Sequence, residues 1–337
     1  MSFQEILHTV VSGKDLTEYE MMTAMTQVME GKVIDSQFAA FLTALQLKHE
    51  TVPEIVGAAR VMRSKVEKVK VNASHIVDTC GTGGDGADTF NISTAVSFVV
   101  AGADITVAKH GNRAVSSKSG SADVLKCLGV NIDASLSTVE RCIEEVGIGF
   151  LFAPLMHKAM KHAAKVRKEL GFRTIFNLLG PLTNPAHAHG QVLGVYDSKW
   201  VIPLAEVLRD LGTRRALVVH GFDGLDEITL TSETQVSELN NDNVSNFTID
   251  PKEFGYTLCS AKDLKGGSPE ENAETIRGIL QGASGPKTDI IVLNAAAAIY
   301  VGGKAETVEQ GILVAANSIS SGAANKKLEE LCRVSNS

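Results

Sequence analysis

The chain has 337 residues, 44% apolar and 21% charged, with a formal net charge of −7 and a mean hydropathy of +0.07. That length supports a large core and two domains, the acidic balance disfavours nucleic acid as a partner, and no apolar run approaches the ~20 residues of a membrane helix. The five cysteines are scattered without a C-x-x-C pair, which argues for reduced thiols in a cytoplasmic protein and against zinc, and the opening Met1-Ser2-Phe3-Gln4-Glu5 lacks the basic start of a secretory leader.

The first 62 or so residues predict four short helices. Phe3, Ile6, Leu7 and Val10 recur at helical spacing before Gly13. Thr17 and Glu20 form a capping box ahead of Met21, Met22, Met25, Val28 and Met29, a cluster read as core or helix contact. Phe38, Phe41, Leu42 and Leu45 make a third stripe, and Thr51, Pro53 and Glu54 start a fourth helix. Charge and valine alternate from Lys65 to Lys70, which places a boundary there: 1–70 a small helical domain, 71–337 a large α/β domain.

Beyond it the pattern alternates strand and helix, so a mostly parallel sheet flanked by helices is expected, with ligands at the carboxyl ends of its strands. The run His75-Ile76-Val77 reads as a strand and Ala95 to Ala101 as a buried helix; between them lies a loop with Gly81, Gly83, Gly84 and Gly86. Glycines let backbone approach a ligand, and Asn91, Ser93 and Thr94 offer capping oxygens where a helix begins, so the stretch reads as an anion cradle. The dinucleotide fingerprint wants an acid after the next strand, but the strand Ile105 to Ala108 ends in Lys109-His110; no Gly-Lys-Ser/Thr closes a P-loop either. Asp85 and Asp88 would repel bare phosphate, so the loop suits a metal-bound pyrophosphate.

A second polar, basic loop runs from Lys109 to Ser121, followed by a helix from Ala122 and a capping box at Ser137 and Glu140. An apolar strand is expected at Ile148 to Phe152, a basic helix at Met156 to Leu170 with a largely solvated face, and a proline-stiffened apolar loop at Phe176 to Pro185. Further strands are expected at Gln191 to Val195, Ala216 to Val219, Ile228 to Leu239 and Asn246 to Ile249, then a helix capped by Ser268. Asp223, Asp226 and Glu227 follow a strand end and suit Mg²⁺; the alternative is an Asp-Gly turn with solvated acids, and the glycine loop upstream favours the metal. Cys80 has no base partner and reads as packing.

The combination of Asp78-Thr79-Cys80-Gly81-Thr82-Gly83-Gly84-Asp85, Asn91-Ile92-Ser93-Thr94, Lys109-His110-Gly111-Asn112-Arg113 and Asp226-Glu227 closely resembles the anthranilate phosphoribosyltransferase family, in motif order and over nearly the whole chain. The resemblance implies a fold like the pyrimidine nucleoside phosphorylases, in which the small helical domain also receives a mid-chain segment near 165–190, and a homodimer joined through that domain. It implies transfer of the phosphoribosyl group of phosphoribosyl pyrophosphate to the amine of anthranilate, with Mg²⁺. On that likeness Gly81, Gly84, Asp85, Thr89, Asn91, Ile92, Ser93 and Thr94 would hold the phosphoribosyl pyrophosphate. Lys109, His110, Gly111, Asn112, Arg113, Ala114, Val115, Ser116 and Ser117 would wrap its sugar phosphate, with Ser121 adding a contact. Ser93, Asp226 and Glu227 would approach Mg²⁺. Gly81, Asn112 and Arg167 would face anthranilate, with His110 and Pro181 in the pocket wall. Lys109, Asp85 and His110 are the catalytic candidates, and Lys118 adds to the basic pocket. Two relatives of the same fold compete: a nucleoside phosphorylase, which would lack Asp226-Glu227 and Arg167, and a nucleic-acid binder, which would need a broad basic face.

Overall fold

A computed structural model describes residues 1–73, 75–114 and 119–337. The chain opens with helices α1 (Phe3–Val11), α2 (Glu18–Met29), α3 (Asp35–Lys48) and α4 (Val52–Lys65). Ser2 and Thr17 start α1 and α2 through reciprocal capping boxes with Glu5 and Glu20, satisfying N–H groups that a helix start leaves open. At α4, Glu54 accepts from the Thr51 N–H at 2.8 Å. The same buried carboxylate accepts from the Leu16 N–H at 2.8 Å and pairs with Lys48 at 2.7 Å. One acid thus ties α3, α4 and the loop before α2. The predicted stripes are buried: Met21 and Met25 with Phe38, Phe41, Leu42 and Leu45 belong to one core.

The rest of the chain runs β1 (Ile76–Gly81), α5 (Ile92–Gly102), β2 (Thr106–Gly111), α6 (Ser121–Leu128), α7 (Leu136–Val146), β3 (Ile148–Phe152), α8 (Ala153–Met156), α9 (Lys161–Leu170), α10 (Ile175–Leu179), β4 (Gly190–Gly194), α11 (Val201–Asp210), β5 (Arg215–Gly221), β6 (Thr234–Asn240) and β7 (Asn243–Ile249). It ends in α12 (Pro269–Leu280), α13 (Pro286–Val301), α14 (Val308–Ser320) and α15 (Ala323–Ser335). The sheet order is β3-β2-β1-β4-β5-β6-β7. The strands from β3 to β5 pair in parallel, while β6 and β7 add an antiparallel meander.

Alternation along the strands divides the core. Val192, Leu217 and Val219 face α5 and α13, while Leu193, Ala216 and Val218 join a core shared with α1 to α4, α9, α10 and α11. The chain steps from β1 outward to β2 and β3 and then returns to the other side of β1 with β4. That reversal creates a crevice at the carboxyl ends of β1 and β4, where open α/β sheets bind ligands.

Several elements differ from expectation. β1 continues through Gly81 and β2 through Gly111, because Asp78 to Gly81 pair with Gln191 to Gly194, and Lys109 to Gly111 with Phe150 to Phe152. Lys109 and His110 therefore stand on a strand, where the sequence suggests a loop. Residues 228–233 bend instead of extending, since the Thr229 and Thr231 hydroxyls donate to the Asp223 carboxylate. Ser135, and not Ser137, caps α7, accepting from the Thr138 N–H at 3.2 Å; Glu140 accepts instead from the Lys70 N–H at 2.7 Å. The expected helix from Met156 is broken at His157, whose backbone (φ −105°, ψ 60°) turns its ring inward. Within the expected apolar loop, α10 and a short 3₁₀ turn at Pro181–Thr183 form.

Candidate active site

Gly81 and Gly194 end β1 and β4 as paired residues at the crevice. A Cβ on Gly81 would come within 2.4 Å of Asp226 Oδ2, and one on Gly194 within 1.5 Å of the Asp226 carbonyl oxygen. Two glycines side by side are what allow the loop after β5 to settle on the strand ends. Asp226 Oδ2 then accepts from the Gly83 N–H at 2.8 Å, and the Asp226 N–H donates to Asp85 Oδ2 at 3.5 Å. The glycine loop and the acidic loop thereby become one surface.

The acids are not equivalent. Asp223 belongs to its own turn, accepting from the Leu225 N–H and the two threonine hydroxyls, which is the solvated-turn alternative realised for that one residue. Asp226 and Glu227 are half-buried and turn to the crevice beside Asp85. Burial first, and then Asp85, raise the Asp226 carboxyl to about 7; burial and Asp226 raise Glu227 to about 8, against the pull of Lys109 and the Ser93 N–H. Mutually repelling, partly desolvated carboxylate oxygens fit a hard divalent cation. Mg²⁺ takes one or two carboxylates and completes its shell with water and substrate phosphate, and among the described residues no group of three His, Cys, Asp or Glu forms a closed metal cage.

Helix α5 begins beside these acids. Asn91 sits at its N-cap without capping it: its amide donates to the Ser119 carbonyl at 3.0 Å, and its Oδ1 accepts from Ser119 Oγ and from Asn272 Nδ2. The expected capping oxygen is committed to holding the second loop and α12 against the helix start. Ile92 is core. Thr94 Oγ1 is buried with no partner. Lys109 is 3% exposed, and its ammonium donates to the Thr79 carbonyl at 2.6 Å and to Ser93 Oγ at 3.2 Å. Burial lowers its pKa, while Asp78, Cys80 and Glu227 oppose that shift. The charge lies beneath Ser93 and not in the open crevice.

Thr89 pairs with Lys265 in an isolated bridge at the far edge of the glycine loop. The second loop is anchored at both ends by Asp123, whose Oδ2 accepts from the Ala114 and Gly120 N–H groups at 3.0 Å each. Ser121 Oγ donates to the Asn112 carbonyl at 3.1 Å and would meet any Cβ on Gly111. Arg113 stacks 5.6 Å over Phe152. Val115, Ser116, Ser117 and Lys118 lie outside the described residues.

Towards the helical side, His110 Nε2 and His157 Nε2 are 3.1 Å apart. Burial and His157 push His110 down to about 3, and burial pushes His157 to about 4, so both rings are neutral at pH 7. Arg167 lies 5.0 Å over the Phe176 ring with no carboxylate partner among the described residues. Pro181 is buried, its carbonyl accepting from Gln191 at 2.7 Å. Cys80 Sγ accepts from the same Gln191 amide at 3.1 Å, and burial raises the thiol pKa well above its ordinary value, consistent with packing.

Residues with no recognisable motif complete the frame. Asp78 is buried, its carboxylate accepting from the His110 N–H and from Asn184. Arg173 donates to the Gly84 carbonyl and stacks 4.1 Å over Tyr196, joining the segment after α9 to the glycine loop. Neither Arg173, Asn184, Asp123 nor His157 carries a local signal; only the placement of Asn184 between two prolines hints at a fixed position.

Two family profiles match the chain: the glycosyl transferase family helical bundle domain over residues 4–66 and the glycosyl transferase family a/b domain over 73–325. The chain is 54% identical over 334 residues to the anthranilate phosphoribosyltransferase of Acetivibrio thermocellus, covering 99% of this chain and 97% of that one. Among solved structures, the anthranilate phosphoribosyltransferase of Thermus thermophilus superposes with a TM-score of 0.94 at 42% identity, covering 98% of this chain and 99% of that chain. The Saccharomyces cerevisiae enzyme, in complex with PRPP and Mg, superposes with a TM-score of 0.90 at 28% identity over 99% of this chain and 98% of that chain. A second structure of that enzyme holds 4-fluoroanthranilate, with a TM-score of 0.88, 27% identity and 99% coverage of both chains.

Proposed function

Because the chain belongs to the anthranilate phosphoribosyltransferases, a glycosyltransferase family of tryptophan biosynthesis, we infer that its crevice joins phosphoribosyl pyrophosphate to the amine of anthranilate, releasing pyrophosphate. The observation that carries this reading is the seating of Asp226 on the paired Gly81 and Gly194, beside Asp85 and the start of α5. Asp226, Glu227 and Ser93 would hold Mg²⁺, the ion bound with PRPP in the yeast relative. When bound there, it neutralises negative charge on the departing pyrophosphate.

The chain's own groups do the rest. Breaking the bond from ribose to pyrophosphate leaves positive charge on the sugar and negative charge on the leaving group. Backbone N–H groups of the loop around Gly84 and the positive dipole end of α5 face that negative charge, and Lys109 supplies positive charge beneath Ser93. Gly111 to Ala114, with Ser121, wrap the sugar phosphate, and Thr89 closes the edge. The amine lone pair of anthranilate is free at pH 7, so attack needs orientation more than a strong base. Arg167 pairs with the benzoate carboxylate, in keeping with a half-buried guanidinium that has no acid partner among the described residues. Neutral His110, fixed by His157, and Pro181 wall the pocket beside Asn112.

The same proposal divides the chain near residue 70, with 165–190 packing on the helical domain; the shared core of α1 to α4 with Ala163, Val166 and Ile175 supports it. It pairs two copies through exposed Val11, Ile34 and Leu47 of that domain, in a cytoplasm whose reducing poise suits five free cysteines. Among the described residues no helix is long and apolar enough to cross a membrane.

The test follows anthranilate fluorescence with PRPP and Mg²⁺. Wild-type protein consumes anthranilate. Arg167→Ala raises the anthranilate KM about 30- to 100-fold, as loss of a charged hydrogen-bonded partner would, and Asp226→Asn with Glu227→Gln abolishes Mg²⁺-dependent turnover. Unchanged anthranilate KM in Arg167→Ala would remove that residue from the carboxylate site.

A further inference from the structure

The opposite end of the sheet holds a cavity of about 200 Å³ among the first residues of β1, β4 and β5 and the end of β6. It lies about 17 Å from the crevice, the length of a six-residue strand such as β1. Its polar lining is His75, His189, Arg214, Arg215, Asn240 and Asn241, and among the described residues no acid lines it. Ile76, Val77 and Val301 give it an apolar floor.

Three features make this more than a gap between loops. The His189 Nδ1 atom is buried with no hydrogen-bond partner, a costly state for a polar nitrogen unless something else meets it. Arg214 is exposed with no carboxylate partner among the described residues. The nearby negative groups are already compensated. Glu238 accepts from Tyr300 Oη at 2.6 Å and lies 3.9 Å from Arg215 Nε, and the Tyr300 carbonyl at the end of α13 accepts from Arg215 Nη1 at 3.0 Å. Room for roughly six waters, by their share of liquid volume, is also room for a small organic anion. Fixed backbone bonds hold the shape: the His189 carbonyl accepts from the Arg214 and Arg215 N–H groups, and the His189 N–H donates to the Ile76 carbonyl.

We propose that this cavity is a second small-molecule site, which takes the oxyanion end, carboxylate or phosphoryl, of a small metabolite. Arg214 and His189 meet the oxyanion, the two asparagines complete its hydrogen bonds, and the valine and isoleucine side chains receive the apolar remainder. The site shares no residue with the reaction centre, so it stands or falls independently of the transferase reading.

The test uses inorganic phosphate and, separately, butyrate, titrated into protein whose crevice is first filled with Mg²⁺ and pyrophosphate, while the imidazole resonances of His75, His189 and His110 are followed. A saturable shift at His189 and His75, with His110 unmoved and the midpoint at least tenfold weaker in Arg214→Ala, supports the site. Saturation by phosphate alone identifies a phosphoryl ligand; saturation by butyrate alone identifies a carboxylate. No saturable shift at His189 with either anion, or an unchanged midpoint in Arg214→Ala, overturns it.

Discussion

Asn184 donates to the buried Asp78 carboxylate at 2.8 Å from 106 residues further along the chain. The same Nδ2 group donates to the Ala108 carbonyl at 2.8 Å, while Asn184 Oδ1 accepts from the Ala186 N–H. One side chain therefore fixes β1 to β2 and to the mid-chain turn. Asn184→Ala leaves a buried carboxylate and a buried carbonyl short of a donor, so it should cost about 2 to 4 kcal/mol in urea unfolding at pH 7. A loss below about 1 kcal/mol would show that Asp78 finds another donor.

The pair His110 and His157 sets an acid limit on stability. Folded-state values of about 3 and about 4 lie below the ordinary histidine value of roughly 6.5. Between pH 6.5 and 4 the unfolded chain binds more protons than the folded one, so stability is full above that window and falls as pH drops through it. Two such groups give a slope of up to about 2.7 kcal/mol per pH unit. His157→Gln should roughly halve it in unfolding measurements at pH 5 and 6; an unchanged slope would place the acid sensitivity elsewhere.

Gly81→Ala tests the seating of Asp226. The new methyl would sit 2.4 Å from Asp226 Oδ2, so the carboxylate must move, and displacements of that size cost about 100-fold in turnover. Gly83→Ala is the control: its φ of +66° strains an alanine by about 1 to 2 kcal/mol, but nothing lies within 4 Å. Equal kinetic losses in the two variants would mean that loop strain, and not the Asp226 contact, governs activity.

Arg173→Ala should raise the PRPP KM about tenfold with the anthranilate KM unchanged, because its bond to the Gly84 carbonyl orients the glycine loop. Steady-state kinetics with each substrate varied in turn checks this. A rise in the anthranilate KM instead would assign Arg173 to the other half of the site.

The helical start, the strand and helix alternation and the glycine loop are legible in sequence because each is written locally. Capping pairs such as Thr17 and Glu20, the stripe from Phe38 to Leu45 and the spacing of Gly81, Gly83 and Gly84 carry their own conformational reasons. What escapes sequence is set by partners far along the chain. Lys109 joins β2 only because Phe150 pairs with it, Asn91 loses its capping role to Asn272, and Asp223 is separated from Asp226 by two threonine hydroxyls. The break at His157 follows the same logic, since its ring is held by His110 and not by its own helix.

The placement of β4 beside β1 also governs how the protein is made. Gly81 and Gly194, paired across the crevice, are about 110 residues apart. At a translation rate of roughly 5 to 20 residues per second, one edge of β1 waits about 6 to 23 seconds for its neighbour to be synthesised. During that interval an interior strand of the sheet has an open edge, a state exposed to mispairing. Synthesis speed between residues 81 and 194 therefore bears on yield, and slow codons there would lengthen that exposed stage.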